Sequence, residues 1–358
     1  MALEPSITPI QPVASTASKR LPFLDWTRGV AVLLMIQCHT FNSFTRVDLR
    51  EGGPYVLSQF VGGMAAPLFL LLAGVTLAFQ MDGQDRREPS GRRRYIAALR
   101  RAGYVLAIAY LFRFTNWIFS YPLPSYRAML RVDILNCMGF AMAVLAVAAI
   151  WPAAMRARLM AAAGFAIAGL APVMNSLDWQ GVPAVLHDYL VHAHLSFAFF
   201  PCGAYVAFGI SAGAILRRLP AERLERTMQW SLLTGLAMIA AGQYFSNIPY
   251  SVYTKSNFWT DSPGLIIIRT GVILALLATA FLLTEYGRSG WSWVQTLGKT
   301  SLMVYWVHVV LVYGRPLERW KKALDVPQAT AATIVVMLAM LLLSIARLRW
   351  SARGARAR

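Results

Sequence analysis

Arg28 and His39 lie eleven positions apart in an otherwise apolar stretch, and their residue types could support group transfer. At 100° and 1.5 Å per residue, this spacing is about three helical turns, so both side chains project from nearly the same helix face. Asp25 falls near that face, and the three groups extend over roughly 20 Å of helix axis. Because a charge inside a bilayer is costly, such residues usually face a cavity or a partner. We therefore expect one face of this helix to be lined by water or protein.

The composition is typical of an integral membrane protein. Of 358 residues, 57% are hydrophobic and 14% charged, and the mean hydropathy is +0.51. A soluble domain of this size is excluded. The sequence predicts an all-α polytopic membrane protein with about ten (nine to eleven) transmembrane helices around a central polar cavity. The apolar stretches occur roughly at 22–44, 57–80, 102–120, 131–151, 159–176, 197–216, 228–246, 264–284, 297–314 and 330–347.

The distribution of basic residues predicts the orientation. If the N-terminus is inside, most of the 34 Lys and Arg residues fall in inner segments, including the basic run at 86–101. Basic loops stay in the cytoplasm, so both termini are predicted to be cytoplasmic. The net charge of +18 then needs no nucleic-acid partner, and it attracts anionic membrane lipids.

The chain divides into one membrane domain and two tails. Residues 1–20 are rich in Pro, Ser and Thr and are predicted to be a disordered cytoplasmic tail. Residues 21–350 form the transmembrane domain, and 351–358 a basic cytoplasmic tail. Glycine-rich stretches at 61–64 and 203–213 favour close helix packing, either within the chain or in a homodimer.

Polar residues in the outer halves of five predicted helices share one depth, which indicates a reaction or binding chamber. Asp133 can neutralise Arg113 or Arg269, which leaves the two histidines able to exchange protons near neutral pH. The residues of this layer are His39, Arg113, Asn116, Asp133, Asn136, Arg269 and His308.

The inner half of the predicted bundle carries a different set of charges. Arg100 and Arg101 stand at the cytoplasmic mouth of the third predicted span, and Asp25 and Arg28 lie in the first. Arginines at a cytoplasmic entrance suit a phosphate-bearing ligand, because the guanidinium fork matches phosphate oxygens. For Arg28 an ion pair with Asp25 at i, i+3 is the alternative.

The motifs of this chain resemble those of integral-membrane acyltransferases whose first helix carries R-x10-H, which Arg28 and His39 match. More narrowly, the chain resembles the bacterial relatives of heparan-α-glucosaminide N-acetyltransferase from about residue 20 to 314. The motifs of this resemblance are RLPFLDWTRG at 20–29 with LM at 34–35, APLFLLLAGV at 66–75, VDILN at 132–136 with Gly139, and LGKTSL at 297–302 with Tyr305 and His308.

This resemblance implies transfer of an acyl group, in particular acetyl, from cytosolic acyl-CoA to a sugar-like hydroxyl or amine beyond the membrane. Acetyl-CoA or another acyl-CoA would be a co-substrate, with no permanently bound cofactor. His39 would act as general base or as a covalent acyl relay, and Asp133 and His308 would be further catalytic residues. Asp25, Arg28, Arg100 and Arg101 would face the donor, and Asn42, Arg113, Asn116, Asn136 and Arg269 the acceptor.

Other interpretations stay open at this stage. His39 and His308 could be hydrogen-bonded helix residues, and a transporter or flippase of a polar or lipid-linked solute could use the same polar layer. A scaffold that lost its activity is a third possibility. His187, His192 and His194 offer a His-x-His pattern for zinc, but the spacing is not that of a known helical metal site, so no metal is predicted.

Overall fold

The computed structural model describes residues 21–88, 90–120, 125–191, 197–287 and 290–356, and these ranges are almost entirely helical. The predicted N-terminal tail at 1–20 lies outside them. Within these ranges, the β-type pairing consists of one isolated bridge, between Thr45 and Leu324. The helices are α1 (Pro22–Phe44), α2 (Gly53–Gly62), α3 (Ala65–Asp85), α4 (Gly91–Ile118), α5 (Ile134–Leu145), α6 (Ala153–Ser176), α7 (Ala184–Leu190), α8 (Phe199–Arg218), α9 (Ala221–Ser246), α10 (Pro263–Glu285), α11 (Trp293–Lys299), α12 (Ser301–Tyr313) and α13 (Val326–Arg356).

Six helical segments in the described ranges are long and apolar enough to cross a membrane. They are the joined α2–α3 segment and helices α4, α6, α8, α10 and α13. Two further apolar segments, Ile134–Ile150 and α12, are shorter. All ten predicted stretches coincide with helices, which confirms the all-helical membrane architecture, while the count of about ten spans stays a prediction. Helix α13 reaches Arg356, so the predicted basic tail is helical as far as it is described.

Two of the predicted spans are broken rather than continuous. The stretch at 57–80 divides at Gly63 and Met64, between α2 and α3, and the stretch at 297–314 divides at Thr300, between α11 and α12. A Cβ at Gly62 would overlap the Cys38 side chain, so α2 crosses α1 in direct contact. The Thr300 backbone leaves the helical region, with φ of −113° and ψ of 16°.

The crossing of α1 with α11 is a backbone contact. A Cβ at Gly29 would overlap the Val294 carbonyl, and a Cβ at Gly298 would overlap the Asp25 carbonyl. Absence of side chains at a crossing lets two helices approach closely and gain van der Waals contact where no hydrophobic effect drives association. Because α12 follows α11 directly, this crossing holds α12 beside α1.

The glycines of α8 pack in the same way against α3. A Cβ at Gly209 would overlap the Leu71 carbonyl, and Gly74 on α3 approaches the Val206 carbonyl equally closely. The predicted close packing of the 203–213 stretch is therefore confirmed as packing within the chain.

Ion pairs join four helices at one end of the bundle. Arg156 and Arg94 both contact Asp85 at 2.9 Å, and Arg217 contacts Asp82 at 3.0 Å. Arg156 lies between two of the predicted spans, yet its side chain is 0% exposed and also donates to the Ala148 carbonyl. A buried charge is tolerated only when paired and hydrogen-bonded. The C-terminal ends of α3 and α8 and the N-terminal ends of α4 and α6 therefore meet at one arginine-rich end.

Adding a methyl group at the α3–α8 crossing is expected to destabilise the protein. Gly209→Ala forces the two backbones apart, and overpacking of this kind lowers the free energy of unfolding by about 1–3 kcal/mol. Gly103→Ala is the matched control, because a Cβ there meets nothing within 4 Å. Thermal unfolding of both variants in one detergent measures the difference. Equal melting temperatures would show that the crossing is looser than described.

Candidate active site

Two histidines form the centre of the site, one from α1 and one from α12. His39 Nδ1 lies 2.9 Å from His308 Nε2, and the rings are nearly parallel, with centroids 5.2 Å apart. His308 is fully buried, whereas His39 is partly exposed. The second contact of His308 is with its own helix, because its Nδ1 lies 2.8 Å from the Val304 carbonyl oxygen.

These contacts determine where the protons lie when both rings are neutral. A carbonyl oxygen only accepts, so His308 Nδ1 carries a proton and donates it to Val304. His308 Nε2 is then an acceptor, and His39 Nδ1 must donate to it. The remaining nitrogen, His39 Nε2, has a free lone pair. A nitrogen in this state can accept a proton from a hydroxyl or amine, or attack a carbonyl carbon.

Polar side chains surround His39 on the side away from Arg28. The Tyr313 ring lies 5.3 Å from the imidazole, and its hydroxyl accepts from Asn42 Nδ2 at 3.1 Å. The Tyr55 hydroxyl donates to Asn42 Oδ1, also at 3.1 Å. Asn42 is thereby fixed between two tyrosines. The spacing of α1 alone could not reveal Tyr55 and Tyr313, because both are brought in from other helices.

Arg28 occupies the opposite part of α1 and lines a cavity of about 340 Å³. Its Nη1 forms an ion pair with Asp25 at 3.0 Å, and Nη2 lies 3.5 Å from the Thr76 hydroxyl. Arg28 therefore forms the ion pair with Asp25 and also faces the cavity, so the two interpretations of this residue are compatible. Thr76 is a further polar lining residue that the sequence analysis did not single out.

The neighbouring Arg100 and Arg101, about ten residues into α4, differ in their surroundings. Arg101 lines the cavity and stacks on the Tyr104 ring at 5.5 Å. Both arginines are exposed, but Arg100 lies outside the cavity lining. Only one of this predicted pair is therefore positioned with Arg28.

The rest of the cavity wall is mostly apolar. Phe69, Leu72, Leu135 and Met138 contribute to it, and Tyr305 also lines it. The Tyr305 ring lies 6.0 Å from that of His308, so this tyrosine stands between the cavity and the histidine pair. Arginines with apolar walls suit a ligand that combines phosphate groups with a long uncharged arm.

A second polar group lies around the start of α5. Asp133 accepts the backbone N–H groups of Leu135 at 3.0 Å and Asn136 at 3.1 Å and so caps this helix. Arg113 donates to the Ala128 carbonyl. One atom on each of three side chains is buried without a hydrogen-bond partner in the described residues: Asp133 Oδ2, Arg113 Nε and Asn136 Oδ1.

Other contacts complete this second group. Asn136 Nδ2 lies 3.4 Å from the Tyr189 hydroxyl, which shares a 2.8 Å hydrogen bond with Tyr110. Asn116 is half-buried near Arg113 on α4. The predicted layer thus contains two clusters, and among the described contacts Asp133 makes no hydrogen bond to His39 or His308.

Arg269 makes its contacts with other parts of the bundle. Its guanidinium group approaches Gly63 at the α2–α3 junction and lies beside Tyr205 of α8. The electrostatic neighbours of Asp133 include Arg113 and Arg131. Of the two ion-pair partners proposed for Asp133, the structure therefore brings Arg113 nearer.

The loop histidines give no metal centre in the part of the chain that the structure describes. His187 Nδ1 lies 3.3 Å from the Asp188 carboxylate, and its ring packs edge-on against Trp179. His192 and His194 lie outside the described residues. No group of three or more possible metal-ligating His, Cys, Asp or Glu side chains occurs within them.

Comparison with known proteins shows the family of the chain. A search of curated proteins finds no match. A family model described as an acyltransferase domain matches residues 21–346, which is most of the chain and includes every helix from α1 to α12. This match distinguishes an enzyme from a transporter that uses the same polar residues. The chain belongs to this acyltransferase domain family, and its apolar helices make it a membrane acyltransferase.

Proposed function

We propose that this protein transfers an acyl group, in particular acetyl, from cytosolic acyl-CoA to a hydroxyl or amine of a sugar-like acceptor on the extracytoplasmic side. The observation that carries the proposal is the hydrogen-bonded series from Val304 through His308 to His39. This series leaves a basic nitrogen on the same helix as the cavity-lining Arg28.

The proposed membrane arrangement follows the charge distribution. About ten spans place the arginine-rich end of the bundle in the cytoplasm, with both termini, and His39 toward the outer side of a bacterial inner membrane. The motifs at 20–29, 66–75 and 132–136 support a specific relationship to the heparan-α-glucosaminide N-acetyltransferase relatives.

The donor would enter from the cytoplasmic end. Phosphate oxygens of acyl-CoA would contact Arg28 and Arg101, and its uncharged arm would follow the apolar wall toward Tyr305. An arginine about 16 Å along the helix axis from His39 can hold the phosphates while the thioester lies near the imidazole. Acyl-CoA is a co-substrate in this account, and no permanently bound cofactor or metal is needed.

The reaction uses His39 as the proton acceptor. His39 Nε2 takes the proton from the acceptor hydroxyl or amine as its oxygen or nitrogen attacks the thioester carbonyl carbon. The carbon–sulfur bond then breaks, and the CoA sulfur leaves and receives the proton from the imidazolium. His308 accepts the hydrogen bond from His39 Nδ1 and holds the ring in the required tautomer. In the alternative, Nε2 itself attacks the thioester carbonyl carbon, the carbon–sulfur bond breaks and CoA leaves as the thiolate. The acceptor then attacks the acyl-histidine, the carbon–nitrogen bond breaks and frees Nε2, and the acceptor's proton passes to the thiolate.

Two polar clusters are available to bind the acceptor. Asn42 lies near His39, held by Tyr55 and Tyr313. Sugar hydroxyls donate and accept hydrogen bonds, so they match the unpartnered carboxylate, amide and guanidinium atoms of Asp133, Asn136 and Arg113. Asn116 and Arg269 are proposed as more peripheral acceptor contacts.

Substitutions of His39 and His308 are expected to distinguish the role of His39 as general base from the role of His308 in orienting it. His39→Gln should lower kcat by roughly 10²- to 10⁴-fold, the usual contribution of a general base. His308→Leu should lower kcat by about 10²-fold, with KM for acetyl-CoA unchanged, because the tautomer of His39 is no longer selected. Release of the CoA thiol, measured with acetyl-CoA and glucosamine as probes, gives both constants.

His308→Gln serves as the conservative control. Its amide oxygen can still accept from His39 Nδ1, so it should retain much more activity than His308→Leu. Full activity in His39→Gln would contradict the proposed base. Equal losses in the Leu and Gln variants of His308 would show that the ring fills space without orienting His39.

The neighbouring arginines of α4 test the donor site. Arg101→Gln should raise the Kd for acetyl-CoA about 10- to 100-fold, because a hydrogen bond to a charged group contributes about 1.5–3 kcal/mol. Arg100→Gln removes the same charge outside the cavity and should leave the Kd unchanged. Calorimetric titration of detergent-purified protein measures both. Equal weakening in the two variants would indicate general attraction of an anion and contradict a donor site in this cavity.

A further inference from the structure

A second concave site lies away from the histidines, between the first turns of α6 and the last turns of α8. It is an open groove of about 480 Å³. Its apolar wall includes Ala154 and Ala161 from α6 and Ile215 from α8. The groove also contains two cations, Arg158 and Arg218, one from each helix, and no acidic residue lines it. It takes no part in the proposed transfer reaction.

Direct helix contacts form the base of this groove. The Ser211 hydroxyl donates to the Ala157 carbonyl at 2.7 Å, and a Cβ at Gly164 would overlap the Phe208 ring. The two helices are therefore in contact, and the groove opens outward from them. Both α6 and α8 are long and apolar enough to span a membrane. An outward groove on such helices is exposed to lipid.

The two arginines of the groove differ in their ion pairing from the arginines near them in sequence. Arg156 and Arg217, close to Arg158 and Arg218 in sequence, form ion pairs with Asp85 and Asp82. Arg158 and Arg218 are exposed, and no ion pair to either occurs among the described residues. The bundle thus neutralises one arginine of each helix internally and leaves the other at the groove.

We propose that this groove binds an anionic phospholipid of the cytoplasmic leaflet. The headgroup phosphate lies between Arg158 and Arg218, since guanidinium groups bind phosphate oxygens with charge-assisted hydrogen bonds. One acyl chain follows the apolar wall past Ala154 and Ala161. The position at the arginine-rich end of spanning helices suits a lipid, because basic pockets between such helices on the cytoplasmic side recognise anionic headgroups.

Native mass spectrometry of detergent-purified protein titrated with phosphatidylglycerol or phosphatidylcholine tests the proposal. Wild-type protein should bind phosphatidylglycerol more tightly. The double variant Arg158→Gln/Arg218→Gln should lower that affinity roughly 30-fold, as expected from the contribution of each arginine near an anionic headgroup. It should leave the affinity for phosphatidylcholine unchanged. Equal binding of the two lipids by wild type would overturn the proposal.

Two further variants separate this groove from general electrostatics and misfolding. Arg92→Gln/Arg226→Gln removes two exposed arginines elsewhere and should bind phosphatidylglycerol as wild type does. Ala154→Trp keeps both charges but fills part of the groove from an exposed position, and it should weaken binding of both lipids. Equal losses in the two arginine double variants, or undiminished binding by Arg158→Gln/Arg218→Gln, would overturn the assignment.

Discussion

A buried N–H group needs an acceptor, and this requirement organises the centre of the protein. An unpaired polar group in an apolar interior costs about 1–3 kcal/mol, so two imidazoles between helices must satisfy each other or the backbone. The Val304 carbonyl accepts a hydrogen bond from His308 Nδ1, and His308 Nε2 accepts one from His39 Nδ1. The direction of the series leaves His39 Nε2 free. This arrangement requires α12 to lie close to α1, which the glycine crossing of α1 with α11 permits.

The same electrostatic constraint explains the distribution of charge through the bundle. Arg28 lines the proposed donor cavity while it is paired with Asp25. Fully buried Arg156 contacts Asp85 and two backbone carbonyls. Both ion pairs stabilise charges that an apolar interior would otherwise exclude. The ionisable groups described here therefore have ion-pair partners or line a cavity. This arrangement agrees with the acyltransferase assignment from the family match.

Periodicity in the sequence predicted those parts of the site that one helix determines. The spacing of Arg28 and His39 required only helical geometry, and apolar length predicted the helices themselves. Periodicity within one helix could not predict contacts between segments that are distant in the sequence. Examples are the tyrosines that hold Asn42, the burial of Arg156 and the different surroundings of Arg100 and Arg101.

The broken spans have a related explanation. Hydropathy reports the apolar length of a stretch, and it does not report the interruptions at Gly63 and Thr300. The prediction from a shared depth also placed the polar residues closer together than the structure does. The predicted polar layer divides into a histidine cluster and an Asp133 cluster, because depth along a helix does not give its position around the bundle.

Nitrogen NMR of protein labelled with ¹⁵N-histidine tests the central claim most directly. The His39→Gln and His308→Leu variants assign the two resonance pairs. At neutral pH the account predicts that both rings are neutral and protonated at Nδ1, with His39 Nε2 as an unprotonated nitrogen. A His39 ring protonated at Nε2 would contradict it, because the proposed base would then have no lone pair to accept the acceptor's proton.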